Sequence, residues 1–241
     1  GMPTFTLLGR QVLRLPFIKD TSLGHEILHS WFGNSVEPDY TEGNWCEGLT
    51  TYLADMAYRE DKGEGAQSRR EKIQEFESYI SETTPPLGDF VAAGHRGSAN
   101  RGIRAVGYGR SAMLFHELRI KVGDHVFYQS LQEFYRRYRG KSATWSQIQQ
   151  IFEDQSNLEL SVFFHERLER NDLPNLAIED VETTDGPEGP TLSFSIRQNG
   201  YSYDLAVPVL IRTLDSEVRF LQPLTTETTV VSRTLSSQPL E

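Results

Sequence analysis

A single cysteine, Cys46, stands in 241 residues, so no disulfide can form within the chain. That suits the cytosol and a disulfide-free periplasmic protein equally. Basic residues are outnumbered: 24 Lys and Arg face 34 Asp and Glu, a formal charge of −10. A surface of that sign repels nucleic-acid phosphate, so no nucleic-acid partner is expected. No apolar run approaches the roughly 18 residues that a membrane span needs. The opening residues carry no signal-peptide pattern. Gly1-Met2 reads as a trimmed start, with further chain expected upstream.

What remains is an ordinary globular composition, 37% hydrophobic and 24% charged, long enough for one or two domains. Residues 4–15 lean towards β and predict a strand that Pro16 ends. LGHEILHSWF predicts a helix, with cap oxygens on Asp20, Thr21 and Ser22 before it and Gly33-Asn34 after it. Residues 37–44 read as a polar turn, and a second helix is expected from Trp45 to Arg59. A third, at 68–82, carries Ile73, Phe76 and Ile80 three and four residues apart. Residues 87–107 hold five glycines and read as an irregular loop. Helical spacing returns from Tyr108 to Val122, then at 125–138, 144–154 and 159–170. Beyond Leu173-Pro174 the composition turns to Thr, Ser, Val and Leu, which predicts a small antiparallel β module. Asn199-Gly200 suits a hairpin turn between two of its strands.

The chemistry concentrates in His25-Glu26-Ile27-Leu28-His29. On a helix, residues i and i+4 share a face, so two imidazoles can address one metal ion. Glu26 sits beside that face and reaches a metal-bound water rather than the metal. Zinc (Zn) lowers the pKa of such a water towards about 7, and a carboxylate then takes its proton as the water attacks a carbonyl. A catalytic zinc needs a third ligand. Glu47 is the best candidate, because a helix, a turn and an antiparallel helix bring it back to the histidine pair. Their second ring nitrogens need acceptors, for which Asp55 and Glu42 are both candidates.

GHEILHSWFGNSVEP, followed by NWCEGLTTY, resembles the zinc-site segments of the M1 aminopeptidases, a gluzincin family. The resemblance implies His25, His29 and Glu47 as zinc ligands and Glu26 as catalytic base. VGYGRSAMLFHEL resembles the family segment whose tyrosine donates to the tetrahedral oxyanion, which assigns that role to Tyr108. A phenol at a helix start can be aimed at developing charge. The implied fold is α+β, with a mostly helical, thermolysin-like zinc catalytic domain at 1–174 and a β-sandwich-like module at 175–241. The implied partner is a peptide substrate.

The sequence departs from the family in three places. The gap from His29 to Glu47 is one residue short of the usual one, Cys46 replaces a common Asn, and no GxMEN motif occurs. That motif helps to bind a substrate's amino terminus in the family, so peptide-bond hydrolysis is better supported than aminopeptidase specificity, and the chain alone is expected to cleave poorly. A non-catalytic scaffold is the alternative reading. His95, His116, His125 and His165 lack ligand spacing to one another and read as structural. Arg101 and Arg104 read as solvated loop charge. The sequence is silent on oligomeric state.

Overall fold

A computed structural model describes residues 2, 5–18, 21–81, 84–91 and 99–240. The fold is α+β, in two compact units, Gly1–Asn171 and Asp172–Glu241. The first unit contains α1 (Ser22–Leu28), α2 (Cys46–Thr50), α3 (Ala57–Asp61), α4 (Gly65–Tyr79), α5 (Ala99–Arg104), α6 (Ser111–Val122), α7 (Asp124–Tyr138), α8 (Trp145–Ser156) and α9 (Ser161–Glu169). Two short parallel strands, β1 (Val36–Pro38) and β2 (Lys141–Ala143), pair within it.

Two π-helical segments interrupt these helices. Thr51–Met56 joins α2 to α3, and Ala105–Arg110 joins α5 to α6. Each follows an ordinary helical segment without a break, so 46–61 and 99–122 are two continuous helices that each carry a wider turn.

Aromatic side chains fill the core. Trp45, Trp145, Phe115, Phe127, Phe134 and Phe152 are fully buried. Trp45 meets Phe134 edge to face at 5.2 Å, and Phe115 stacks on Trp145 at 5.3 Å. Rings of this size contribute through buried area and through favourable mutual geometry. α8 starts on a capping box, in which Thr144 and Gln147 each satisfy the other's backbone N–H.

The second unit contains a three-stranded antiparallel sheet, β3 (Leu176–Thr184), β4 (Thr191–Gln198) and β7 (Thr228–Thr234), in the order β3-β4-β7. A separate antiparallel pair joins β5 (Leu205–Arg212) to β6 (Glu217–Leu224). Leu192, Phe194, Ile196, Leu205, Ile211 and Leu224 bury against one another between them.

Four expectations change. The strand expected at 4–15 is absent among the described residues there. Met2 and Phe5 form an isolated bridge, and Val12–Arg14 is a 3-10 turn. Phe5, Leu7, Leu13 and Leu15 are exposed, so the β-leaning run has found no sheet to complete. Asn199-Gly200 does not close a hairpin, because β4 pairs with β3 and β7 while β5 pairs with β6. The link crosses between sheets and is held by the buried Gln198 side chain, whose amide bonds both N and O of Tyr203 at 3.0 Å. Residues 37–44, expected as a turn, place Glu37 and Pro38 in β1. The expected 87–107 loop contains α5 and the start of the second π-helical segment. Tyr108 therefore lies inside a continuous helix, not at a helix start.

Candidate active site

α1 presents His25 and Glu26, and His29 caps its C-terminus with its backbone still in the right-handed region. Both histidines are buried, with ring centroids 4.8 Å apart. His29 Nδ1 donates to the carbonyl of Phe32 at 2.9 Å. A carbonyl oxygen can only accept, so a proton sits on Nδ1, and Nε2 is the ring nitrogen left to face Glu47. The turn that offers this carbonyl is itself held by Asn34, whose side-chain amide donates to His29 O at 2.8 Å.

Glu47 occupies the first turn of α2. Asn44, buried before it, accepts from Cys46 N at 3.0 Å and donates to Val91 O at 3.1 Å. Buried Trp45 donates from Nε1 to Ala143 O at 2.7 Å. α2 also packs tightly on α6: a Cβ on Gly48 would overlap the Ser111 side chain. These contacts fix the helix start, and the Glu47 carboxylate follows. Its Oε2 lies 3.3 Å from His25 Nε2 and 3.5 Å from His29 Nε2.

The donors of His25, His29 and Glu47 all fall within 4.8 Å of one another, the one such group among the described residues. Two donors at zinc bond lengths on a tetrahedral ion stand about 3.3 Å apart. Both imidazole-to-carboxylate separations match that figure. Two neutral imidazoles and one carboxylate are also a donor set that suits zinc.

His25 Nδ1 faces Asp55 Oδ2 at 3.2 Å. Glu42, the other candidate acceptor, takes the backbone N–H of Ser146 instead, at 2.7 Å. Burial opposes a charge on His25, but hydrogen bonds to Asp55 and Glu47 outweigh it and raise the pKa from 6.5 to about 9. Burial likewise pushes the Glu47 carboxyl up, and the two imidazoles outweigh it and hold the group well below the usual carboxylate range. In the metal-free protein, the His25 contribution to stability is therefore complete below its unfolded pKa of 6.5 and is lost as pH rises through about 9. Melting temperature in the presence of a chelator should fall across that interval. A flat profile in scanning calorimetry would contradict this. Zinc needs His25 neutral, so loading should release a proton below about pH 9.

Tyr108 projects from the second π-helical segment, half-buried. Its ring lies nearly parallel to that of His25, centroids 6.1 Å apart. Burial, then the charge of Glu47, raises the phenol pKa, and Arg104 partly offsets them. The phenol is thus a proton donor at neutral pH. A Cβ on Gly107 would overlap the Phe90 ring, so this segment also depends on a close approach that glycine allows. Arg104 sits over the Tyr108 ring at 4.7 Å. The sequence reading missed this contact, although the i,i+4 spacing of the two residues signals it.

Glu26 is half-buried beside His25. Cys46 is buried, and burial pushes its thiol far up, which fits packing rather than reactivity. His116 pairs with the Tyr52 hydroxyl at 3.3 Å, away from the three donors. His95 and the Arg101 side chain lie outside the described residues.

The family model for the peptidase family M1 domain matches residues 20–166, which contain all five candidate site residues. The chain belongs to peptidase family M1. Among M1 relatives, aminopeptidase N of Escherichia coli K12 is 27% identical over 143 residues, 58% of this chain and 16% of that protein. Glutamyl aminopeptidase of Sus scrofa is 24% identical over 168 residues, 66% of this chain and 17% of that protein. The chain thus spans about a sixth of the length of these two curated relatives. Aminopeptidase A of Legionella pneumophila, solved with aspartic acid, shares the fold at TM-score 0.62 and 19% identity, over 89% of this chain and 24% of that one. The M1 zinc metallopeptidase of Deinococcus radiodurans matches at TM-score 0.50 and 27% identity, over 63% of this chain and 33% of that one. None of the described helices is long and apolar enough to cross a membrane.

Proposed function

We propose that this chain carries the zinc centre of an M1 peptidase and that the protein hydrolyses peptides, as an aminopeptidase. The observation that carries this reading is the approach of both His Nε2 atoms to one Glu47 oxygen, at 3.3 and 3.5 Å. Zinc at these donors would supply a Lewis acid that acidifies water and polarises the scissile carbonyl. His25, His29 and Glu47 would hold the ion. Glu26 takes the proton of the attacking water and passes it to the leaving amine. Tyr108 donates its phenolic proton in a hydrogen bond to the oxygen that gains negative charge. Residues 1–174 form the thermolysin-like catalytic domain and 175–241 an accessory β module, a division that the compact units, which part between Asn171 and Asp172, support. The aminopeptidase reading rests on the relatives, two of which carry that activity in their names.

The test is cleavage of aminoacyl reporter amides by the full-length protein. Removal of metal by a chelator should abolish it, and added zinc should restore it. Hydrolysis that survives exhaustive chelation is the outcome against the proposal.

A further inference from the structure

We infer that Asp55 positions His25 for the metal, and that the π-helical turn at Thr51–Met56 is what brings Asp55 to it. The inference rests on the metal reading of the site. Asp55 lies eight residues beyond Glu47. At about 100° per residue, an unbroken α-helix would turn it roughly 80° away from Glu47, while a seventh residue would return to within about 20°. A π turn takes one extra residue into the helix and restores the face. Thr51–Met56 supplies that turn: it begins four residues after Glu47 and contains Asp55. The outcome is visible on one imidazole. Glu47 meets His25 Nε2 at 3.3 Å, and Asp55 meets Nδ1 of the same ring at 3.2 Å.

Asp55 makes no other bond among the described residues: its Oδ1 is shielded from solvent and has no hydrogen-bond partner there. It forms no ion pair with Lys or Arg there, and no helix cap, so the His25 ring is the partner its side chain serves. The two histidines are thereby unequal. His29 is oriented by a neutral carbonyl, Phe32 O, and His25 by a charged carboxylate. A carboxylate partner fixes the Nδ1–H tautomer and makes Nε2 the more basic donor.

The experiment is zinc affinity by competition with a chromophoric chelator, for wild type, Asp55→Ala and the isosteric Asp55→Asn. Ring N–H proton signals of the zinc-loaded proteins are recorded beside it. Asp55→Ala should weaken zinc binding by about 10–100-fold and lose the His25 Nδ1–H signal, with that of His29 intact. Asp55→Asn keeps an acceptor oxygen, so it should retain the signal and lose less affinity, and it serves as the folded variant if alanine disrupts the helix. A purely structural role would lower the melting temperature and leave both readouts as in wild type. Wild-type affinity in a folded Asp55 variant overturns the inference and spares the metal reading. A wild type that binds no zinc overturns both.

Discussion

Replacing Glu26 with Gln should lower kcat on a reporter amide by about 10²–10⁴-fold and leave zinc content unchanged, because a positioned general base contributes on that scale. Gln keeps the size of the side chain and its capacity to accept a hydrogen bond, and it loses the capacity to take a proton. Glu26 is not one of the three converging donors, although it adjoins His25 on α1. Next to His25 it stands about 100° round the helix, where its carboxylate borders the metal face without entering it. The proton transfer belongs to the transition state, so the loss should appear in kcat and kcat/KM together, with KM little changed. A variant that loses zinc as well would make Glu26 part of the metal site. A variant of full activity would remove it from the mechanism.

The parts of the site that follow from local rules were legible in the sequence. HExxH needs only the helical repeat to put two imidazoles together, and α1 does form around it. Glu47 needed a longer chain of reasoning, a turn and a returning helix, and it too arrives within 3.5 Å of both rings. Between His29 and Glu47 the chain forms β1 and a 3-10 turn at Tyr40–Glu42, and this short connection returns α2 to α1. Asp55 could be named as a candidate but not chosen over Glu42, because a periodicity of 3.6 places it on the wrong face. A π turn has no sequence signature at the level of hydrophobic pattern, since it alters the register of only a few residues. The same limit hid the setting of Tyr108. Five glycines in 87–107 argued for a loop, yet Gly102 and Gly107 lie in continuous helix, and a Cβ on Gly107 would strike Phe90. Tertiary crowding overrode propensity there.

The β module shows the converse failure. Alternation in TLSFSIRQ (191–198) and YDLAVPVLIRT (203–213) predicts two strands, and β4 and β5 form within them. Their pairing does not follow. An Asn-Gly pair permits a hairpin, but which strands join is decided by where the apolar faces of β4 and β5 bury, and here they face one core from two sheets.

Whether three side chains hold one ion is tested most directly by elemental analysis of the purified chain, beside Glu47→Ala. Glu47 is the one anionic donor, and its oxygen lies within reach of both imidazoles. Its loss leaves a pair of histidines, each still tied at Nδ1, with no carboxylate to close the site. Zinc affinity should therefore fall by more than the roughly 10–100-fold that loss of an outer-shell partner costs. About one zinc per wild-type chain is expected after gel filtration, and little in the variant, as a three-ligand protein site implies. Wild type that stays free of zinc after incubation with the ion, or a variant that holds it as well as wild type, contradicts the account.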